Sequence, residues 1–178
     1  MHKSTTAWLP VLTKCLHDGL ETDPVWKNCL GESASKRPVE FSLHLAILIE
    51  PYLEYLLLGR KTVESRFSSV RCAPYGCVSR GDVILLKRSG GPIVGVSRVA
   101  DVWFYRLSPT SWKTIRKDFK ESLCIQDPLF WQGHEKASYA TLMRLEDVRT
   151  IEPINIPKRD RRGWVVLRSH RSQLSLKI

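Results

Sequence analysis

The chain has 178 residues and carries 28 Lys and Arg against 18 Asp and Glu, a formal charge of +10. With 43% hydrophobic and 26% charged residues it has the composition of an ordinary globular protein, able to bury a core without disulfide or metal staples. The longest uncharged apolar run, residues 41–49, is nine residues, well short of the roughly 20 that a membrane span needs. No charged-then-apolar leader pattern opens the sequence, so the expectation is a soluble, cytoplasmic protein with no membrane partner.

Residues 1–38 hold apolar side chains at loose helical spacing (Trp8, Leu9, Val11, Leu12, Leu16, Leu20), interrupted by Gly19 and by Asp23-Pro24. They predict one or two short helices, and Ser33 to Pro38 reads as a linker. The chain thus divides into an N-terminal helical extension, 1–38, and a main domain, 39–178. Phe41 to Ile49 reads as a buried strand, and Glu50-Pro51 opens a helix with apolar Tyr52, Leu53, Leu56 and Leu57. Gly59 is placed to stop that helix. Thr62 to Phe67 alternates as a strand, and the turn Ser79 to Asp82 leads to a strand at 83–87. Ile93 to Tyr105 is a long strand with a bend expected at Gly95. Ser108-Pro109 caps a helix reaching about Leu123, and 126–138 reads as a loop or irregular helix. Residues 139–145 and 148–151 look like two extended segments, and 163–168 a last strand. About six short strands with two or three helices, in no βαβ order, predict an α+β fold: a small, mostly antiparallel β-barrel with flanking helices.

The five cysteines (Cys15, Cys29, Cys72, Cys77, Cys124) are odd in number and follow no secretion pattern, which favours reduced thiols. Cys72 and Cys77 lack the second pair or nearby His of a zinc site, and the five histidines show no ligand spacing. No metal and no cofactor are expected.

The charge is unevenly placed. Residues 151–178 carry seven basic and two acidic side chains, centred on Lys158-Arg159-Asp160-Arg161-Arg162. Such a cluster suits a polyanion, whose phosphates release counterions when neutralised. A solvated turn accounts for it equally well. The helix after Ser108 carries Lys113, Arg116, Lys117 and Lys120, three and four apart, either a second contact surface or a solvated face.

The stretch Gly59-Arg60-Lys61-Thr62-Val63-Glu64-Ser65-Arg66 joins a helix end to a strand. Alternation sends Val63 and Phe67 to the core and Glu64 and Arg66 to the opposite face, beside Lys61. On spacing alone an exposed ion pair is the simpler reading. The other is a recognition pocket in which Glu64 accepts from a base while Lys61 and Arg66 hold oxygens. Among the aromatic residues, which generally fill a small barrel, Trp131 and Tyr75 stand in polar loops and are the candidates for base stacking.

The four fixed positions Gly59, Lys61, Glu64 and Arg66 fully match the Gly-x-Lys-x-x-Glu-x-Arg signature of the ASCH domain, a branch of the PUA-like superfamily. The order of elements is similar too, as are Tyr139 to Leu142 and Gly163 to Leu167, so the resemblance spans residues 41–168. It implies a PUA-like barrel with a cleft beside the motif, lined by Lys61, Glu64 and Arg66. The implied partner is nucleic acid, RNA rather than DNA, or a modified nucleoside. A barrel closed as in the family would bring Arg161 and Arg162 near the motif strand, in a positive track extended by Lys87, Arg88 and Arg98. The resemblance also implies two enzymatic alternatives: an amidohydrolase acting on N4-acetylcytidine, and a metal-independent ribonuclease. In the latter, Lys61 would stabilise charge and Glu64 act as base. One departure weighs against the amidohydrolase: those members place a threonine three residues after the lysine, where this chain has Glu64. A carboxylate there favours the ammonium form of Lys61 and opposes its use as a base.

Overall fold

A computed structural model describes residues 9–30, 41–156 and 162–170. The expected linker at 33–38 and the basic residues Lys158 to Arg161 lie outside them. The elements, in chain order, are α1 (Leu9–Leu20), α2 (Pro24–Leu30), β1 (Leu43–Leu48), α3 (Tyr52–Leu57), β2 (Val63–Ser68), β3 (Val83–Arg88), β4 (Ile93–Arg106), α4 (Pro109–Phe119), α5 (Leu129–Gly133), β5 (Tyr139–Ile154) and β6 (Trp164–Arg168).

The six strands form one mixed sheet in the order β2-β5-β4-β3-β1-β6. Only β1 and β3 run parallel; the other pairings are antiparallel. The sheet curls into a half-barrel because its two longest strands bend. The β4–β5 ladder slips register three times, and Asp147 within β5 has φ of 51°. Extra residues of this kind increase local twist and turn a strand. The two segments expected at 139–145 and 148–151 are therefore one continuous strand of 16 residues carrying a kink.

Alternation along the strands supplies three apolar clusters. Inside the curl, Ala46, Leu48, Ile84, Leu86, Met143 and Trp164 meet Leu53 and Leu56 of α3. Gly95 of β4 lies under α3, and a methyl group there would sit 2.7 Å from Leu57 and 3.1 Å from the Arg149 carbonyl, so this close approach needs glycine. On the outside, Leu43, Leu45, Val83, Leu85 and Val165 are covered by Leu12, Leu16, Leu20 and Trp26 of the N-terminal helices. A second outer face, built from Val63, Ala140 and Leu142, is covered by Ile115 of α4, by Leu123 and Ile125, and by α5. Local features fix several of the helix ends. Gly59, with φ of 70°, follows α3 as the sequence predicts. Ser108 and Ser111 form a reciprocal capping box on α4. Asp23, at the break between α1 and α2, accepts from the Val25 and Trp26 amides.

Among the described residues no helix is long and apolar enough to cross a membrane. Cys15, Cys72, Cys77 and Cys124 are free thiols.

Trp26 is the anchor of the N-terminal helices. It is fully buried, and its indole N–H donates to the Asp147 carbonyl at 3.1 Å, at the kink of β5. Trp26→Ala is expected to lower stability by about 3–5 kcal/mol, read as a shift of the denaturant midpoint. Trp26→Phe, which keeps a ring and gives up the hydrogen bond, should cost clearly less.

Candidate functional site

The motif strand β2 is an edge of the sheet, and β6 is the other edge. The curl brings these edges face to face, and the Arg66 side chain spans the gap. Its Nη1 donates to the Gly163 carbonyl at 3.0 Å and its Nη2 to the Ile47 carbonyl at 3.0 Å. The Ile47 amide donates to the same Gly163 carbonyl. A guanidinium fork, with several donors in one plane, suits such a bridge between two carbonyls.

Glu64 holds that fork in place. Its carboxylate lies between two cations, with Oε1 at 2.9 Å from Arg66 Nε and Oε2 at 3.4 Å from Lys61 Nζ. The Arg66 contact is a close charge pair without hydrogen-bond alignment. Lys61 Nζ also donates to the Val63 carbonyl. Lys61 and Glu64 are 4% and 5% exposed, so they form a buried pair, with Arg66 partly exposed at its side. Burial lowers the pKa of Lys61 below its ordinary value, and the neighbouring carboxylate offsets this only in part. The carboxylate does favour the ammonium form, as the sequence argument holds, but desolvation outweighs it.

Arg66 continues into a second polar chain. Its Cζ lies 5.4 Å from the centroid of the Trp164 ring. The Trp164 indole N–H donates to His44 Nδ1 at 3.3 Å, and His44 Nε2 lies 3.2 Å from Asp82 Oδ2. An indole only donates, so Nδ1 is the acceptor and Nε2 carries the proton toward Asp82. Asp82 in turn accepts from the Ser42 and Ser79 amides, each at 2.7 Å. Neither His44 nor Asp82 was singled out as a site residue from sequence. The available signal was a histidine facing inward in an otherwise apolar strand.

Beside Arg66 and Trp164 opens a cleft of about 190 Å³, lined further by Phe67, Ser68, Tyr75, Tyr139, Thr141 and the 72–74 turn. Tyr75 stands edge-on between Tyr139 and Phe104, at 5.0 and 5.4 Å between ring centroids. Of the residues picked from sequence, Arg66 and Tyr75 line this cleft. Lys61 pairs with Glu64 and Glu64 with Arg66, but neither Lys61 nor Glu64 lines the cleft. Trp131 is elsewhere, packed with Phe130 and Trp112 on the outer face. Arg162 is exposed and directly precedes Gly163, which Arg66 contacts; Arg161 lies outside the described residues. The track expected through Lys87, Arg88 and Arg98 is otherwise engaged. Lys87 is buried against backbone carbonyls, Arg88 pairs with Glu50, and Arg98 with Glu146 and Asp147.

Solved structures with this architecture exist. The crystal structure of ASCH from Zymomonas mobilis aligns over 76% of this chain and 94% of its own, with a TM-score of 0.57 and 16% identity. A serine-to-alanine variant of the same protein aligns over 77% and 96%, with a TM-score of 0.58 and 15% identity. The chain has an ASCH-like fold. No family model matches the sequence, and no curated protein matches it. The ASCH-like half-barrel is thus visible in three dimensions where overall identity is low.

Two outcomes test the triad. Glu64→Gln leaves Lys61 and Arg66 without their shared counter-charge and is expected to cost about 3–5 kcal/mol by denaturant unfolding. The second is a pH dependence. The unfolded chain binds the Lys61 proton more tightly than the folded one, so the ammonium form penalises folding, and that penalty lifts as pH rises toward 10.5. Denaturant midpoints should therefore move in favour of the wild type over Lys61→Met as pH is raised from neutral.

Proposed function

We propose that this protein binds single-stranded RNA and holds one unpaired or modified base in the cleft beside Arg66. The supporting observation is the composition of the cleft wall. Tyr75, Tyr139 and Trp164 line the cleft together with Arg66, whose guanidinium lies by the Trp164 ring, and Ser68 and Thr141 belong to the same lining. Single-stranded RNA is recognised in this manner, with a splayed base stacked on aromatic or guanidinium planes and its edge met by hydrogen bonds. A volume of about 190 Å³ is suited to one heterocycle rather than a helix of paired bases.

The hydrolase reading has one observation in its favour, the lowered pKa of Lys61, because a depressed lysine is a better base. The binding reading is preferred because no Lys, His, Asp or Glu lines the cleft among the described residues. An acid or base must come within hydrogen-bond reach of the reacting atom. Lys61 and Glu64 are occupied with each other and with Arg66 instead.

The experiment is a fluorescence anisotropy titration with labelled single-stranded RNA. Tyr75→Ala should weaken binding by about 1–3 kcal/mol, the worth of one stacked base, with the variant's unfolding transition confirming that it is folded. Unchanged affinity would remove the cleft from the binding site. Incubation with N4-acetylcytidine and with RNA should give no turnover. Turnover that is lost in Lys61→Ala would establish the hydrolase instead.

A further inference from the structure

The outer face of α4 carries a second, larger hollow of about 630 Å³, lined by Pro109, Trp112, Lys113, Arg116, Lys117 and Glu135. We infer that this hollow is a second binding site, for the sugar-phosphate backbone of a nucleic-acid strand whose base occupies the cleft. The choice of occupant rests on the RNA-binding reading above; the existence of an anion site does not.

Three observations carry the inference. The first is which cations are left without an acid. Arg66, Arg88, Arg98, Arg144 and Arg149 each pair with a carboxylate. Lys113, Arg116 and Lys117 are exposed, and among the described residues no carboxylate lies within ion-pair distance of any of them. Their spacing of three and four residues puts them on one face of the helix, so three uncompensated charges converge on one hollow whose lining holds a single acid, Glu135.

The second is the way Arg116 is held. Its Cζ lies 5.2 Å from the Trp131 ring centroid and 5.9 Å from that of Trp112. Aromatic faces restrain a guanidinium without consuming its N–H donors, which stay available to phosphate oxygens. This gives Trp131 a role distinct from the base platform expected from its sequence position.

The third is continuity. Phe67 lines the cleft, Trp112 lines the hollow, and their rings stack at 5.2 Å with 13° between planes. One pair of stacked rings is the partition between the two sites. A strand that leaves a base in the cleft reaches the hollow by passing over that partition. A repeated anion with rotatable links, rather than a compact small molecule, fits two adjacent sites of which one is aromatic and the other cationic.

The test compares a dinucleotide with a single-stranded RNA of roughly ten nucleotides, within the range of lengths such sites engage. The proteins are the wild type, Tyr75→Ala, and the triple variant Lys113→Gln, Arg116→Gln, Lys117→Gln. The triple variant should bind the dinucleotide as the wild type does and lose about tenfold or more in affinity for the longer strand. Its plot of log affinity against log salt should be shallower by about 2, since each cation on a single strand contributes about 0.7. Wild-type affinity and slope for the longer strand would overturn the inference. So would displacement of the longer strand from the wild type by inorganic polyphosphate as readily as by unlabelled RNA, which would reduce the hollow to a general anion patch. If the dinucleotide fails to bind while the longer strand still depends on the three cations, the cleft reading falls and the hollow stands. If Tyr75→Ala weakens both ligands and the triple variant neither, the cleft stands alone.

Discussion

The half-barrel depends on one side chain doing what a strand pairing would do in a closed barrel. β2 and β6 are the two edges of the sheet, and open edges are a liability that proteins normally cover or charge. From β2, Arg66 donates to the Ile47 carbonyl of β1 and to the Gly163 carbonyl just before β6, 97 residues away. A side chain is longer than a ladder hydrogen bond, so the edges are tied together without closing. The remaining space is the cleft. The interaction that ties the edges together and the cleft of the proposed binding site are therefore one feature. Gly163 belongs to it, because a methyl group at that position would lie 3.1 Å from Arg66 Nη1.

A clasp made from one guanidinium is only as definite as its orientation, and two buried polar chains fix it. On one side Glu64 is shared between Arg66 and Lys61. On the other, Asp82 sets the His44 tautomer, His44 accepts from Trp164, and the Trp164 ring lies against the guanidinium. Buried polar groups are costly unless satisfied, and when satisfied they leave few alternative packings. Every step from Asp82 to Trp164 has one donor and one acceptor with no choice left open. Such a chain specifies where a ring and a cation meet more narrowly than apolar packing would.

Much of this was legible in the sequence. The helix stop at Gly59, the cap at Ser108, the order of strands and the facing of Glu64 and Arg66 away from Val63 follow from local rules of period and capping. The motif strand borders the cleft through Arg66, Phe67 and Ser68. What local rules missed was which surfaces become interior. Glu64 reads as an exposed partner of Arg66 because a strand with one apolar face ordinarily shows the other to water. Its second face is buried only because the β1–β6 edge arrives from far along the chain. The same limit applies to Trp131, whose polar neighbours suggest an open loop, although Phe130 and Trp112 take up its ring. His44 and Asp82 are 38 residues apart, and nothing in the spacing of either announces the other.

The distribution of positive charge bears on how function is read from a basic protein. A net charge of +10 says little by itself, because several arginines are committed to holding strands and helices together. In the motif, the acid sits between the two bases, and Arg66 is the motif cation that lines the cleft. In the proposed reading, such a cleft discriminates by shape and stacking rather than by long-range attraction. On that same reading, attraction of a polyanion comes from cations that the fold leaves uncommitted, and Lys113, Arg116 and Lys117 of α4, on the other side of the Phe67–Trp112 ring pair, are among them. Separation of the two tasks is physically sensible. Cations placed inside the cleft would be desolvated at a cost and would hold any phosphate there as firmly as a base, whereas cations on an exposed helix keep their hydration until a strand displaces it.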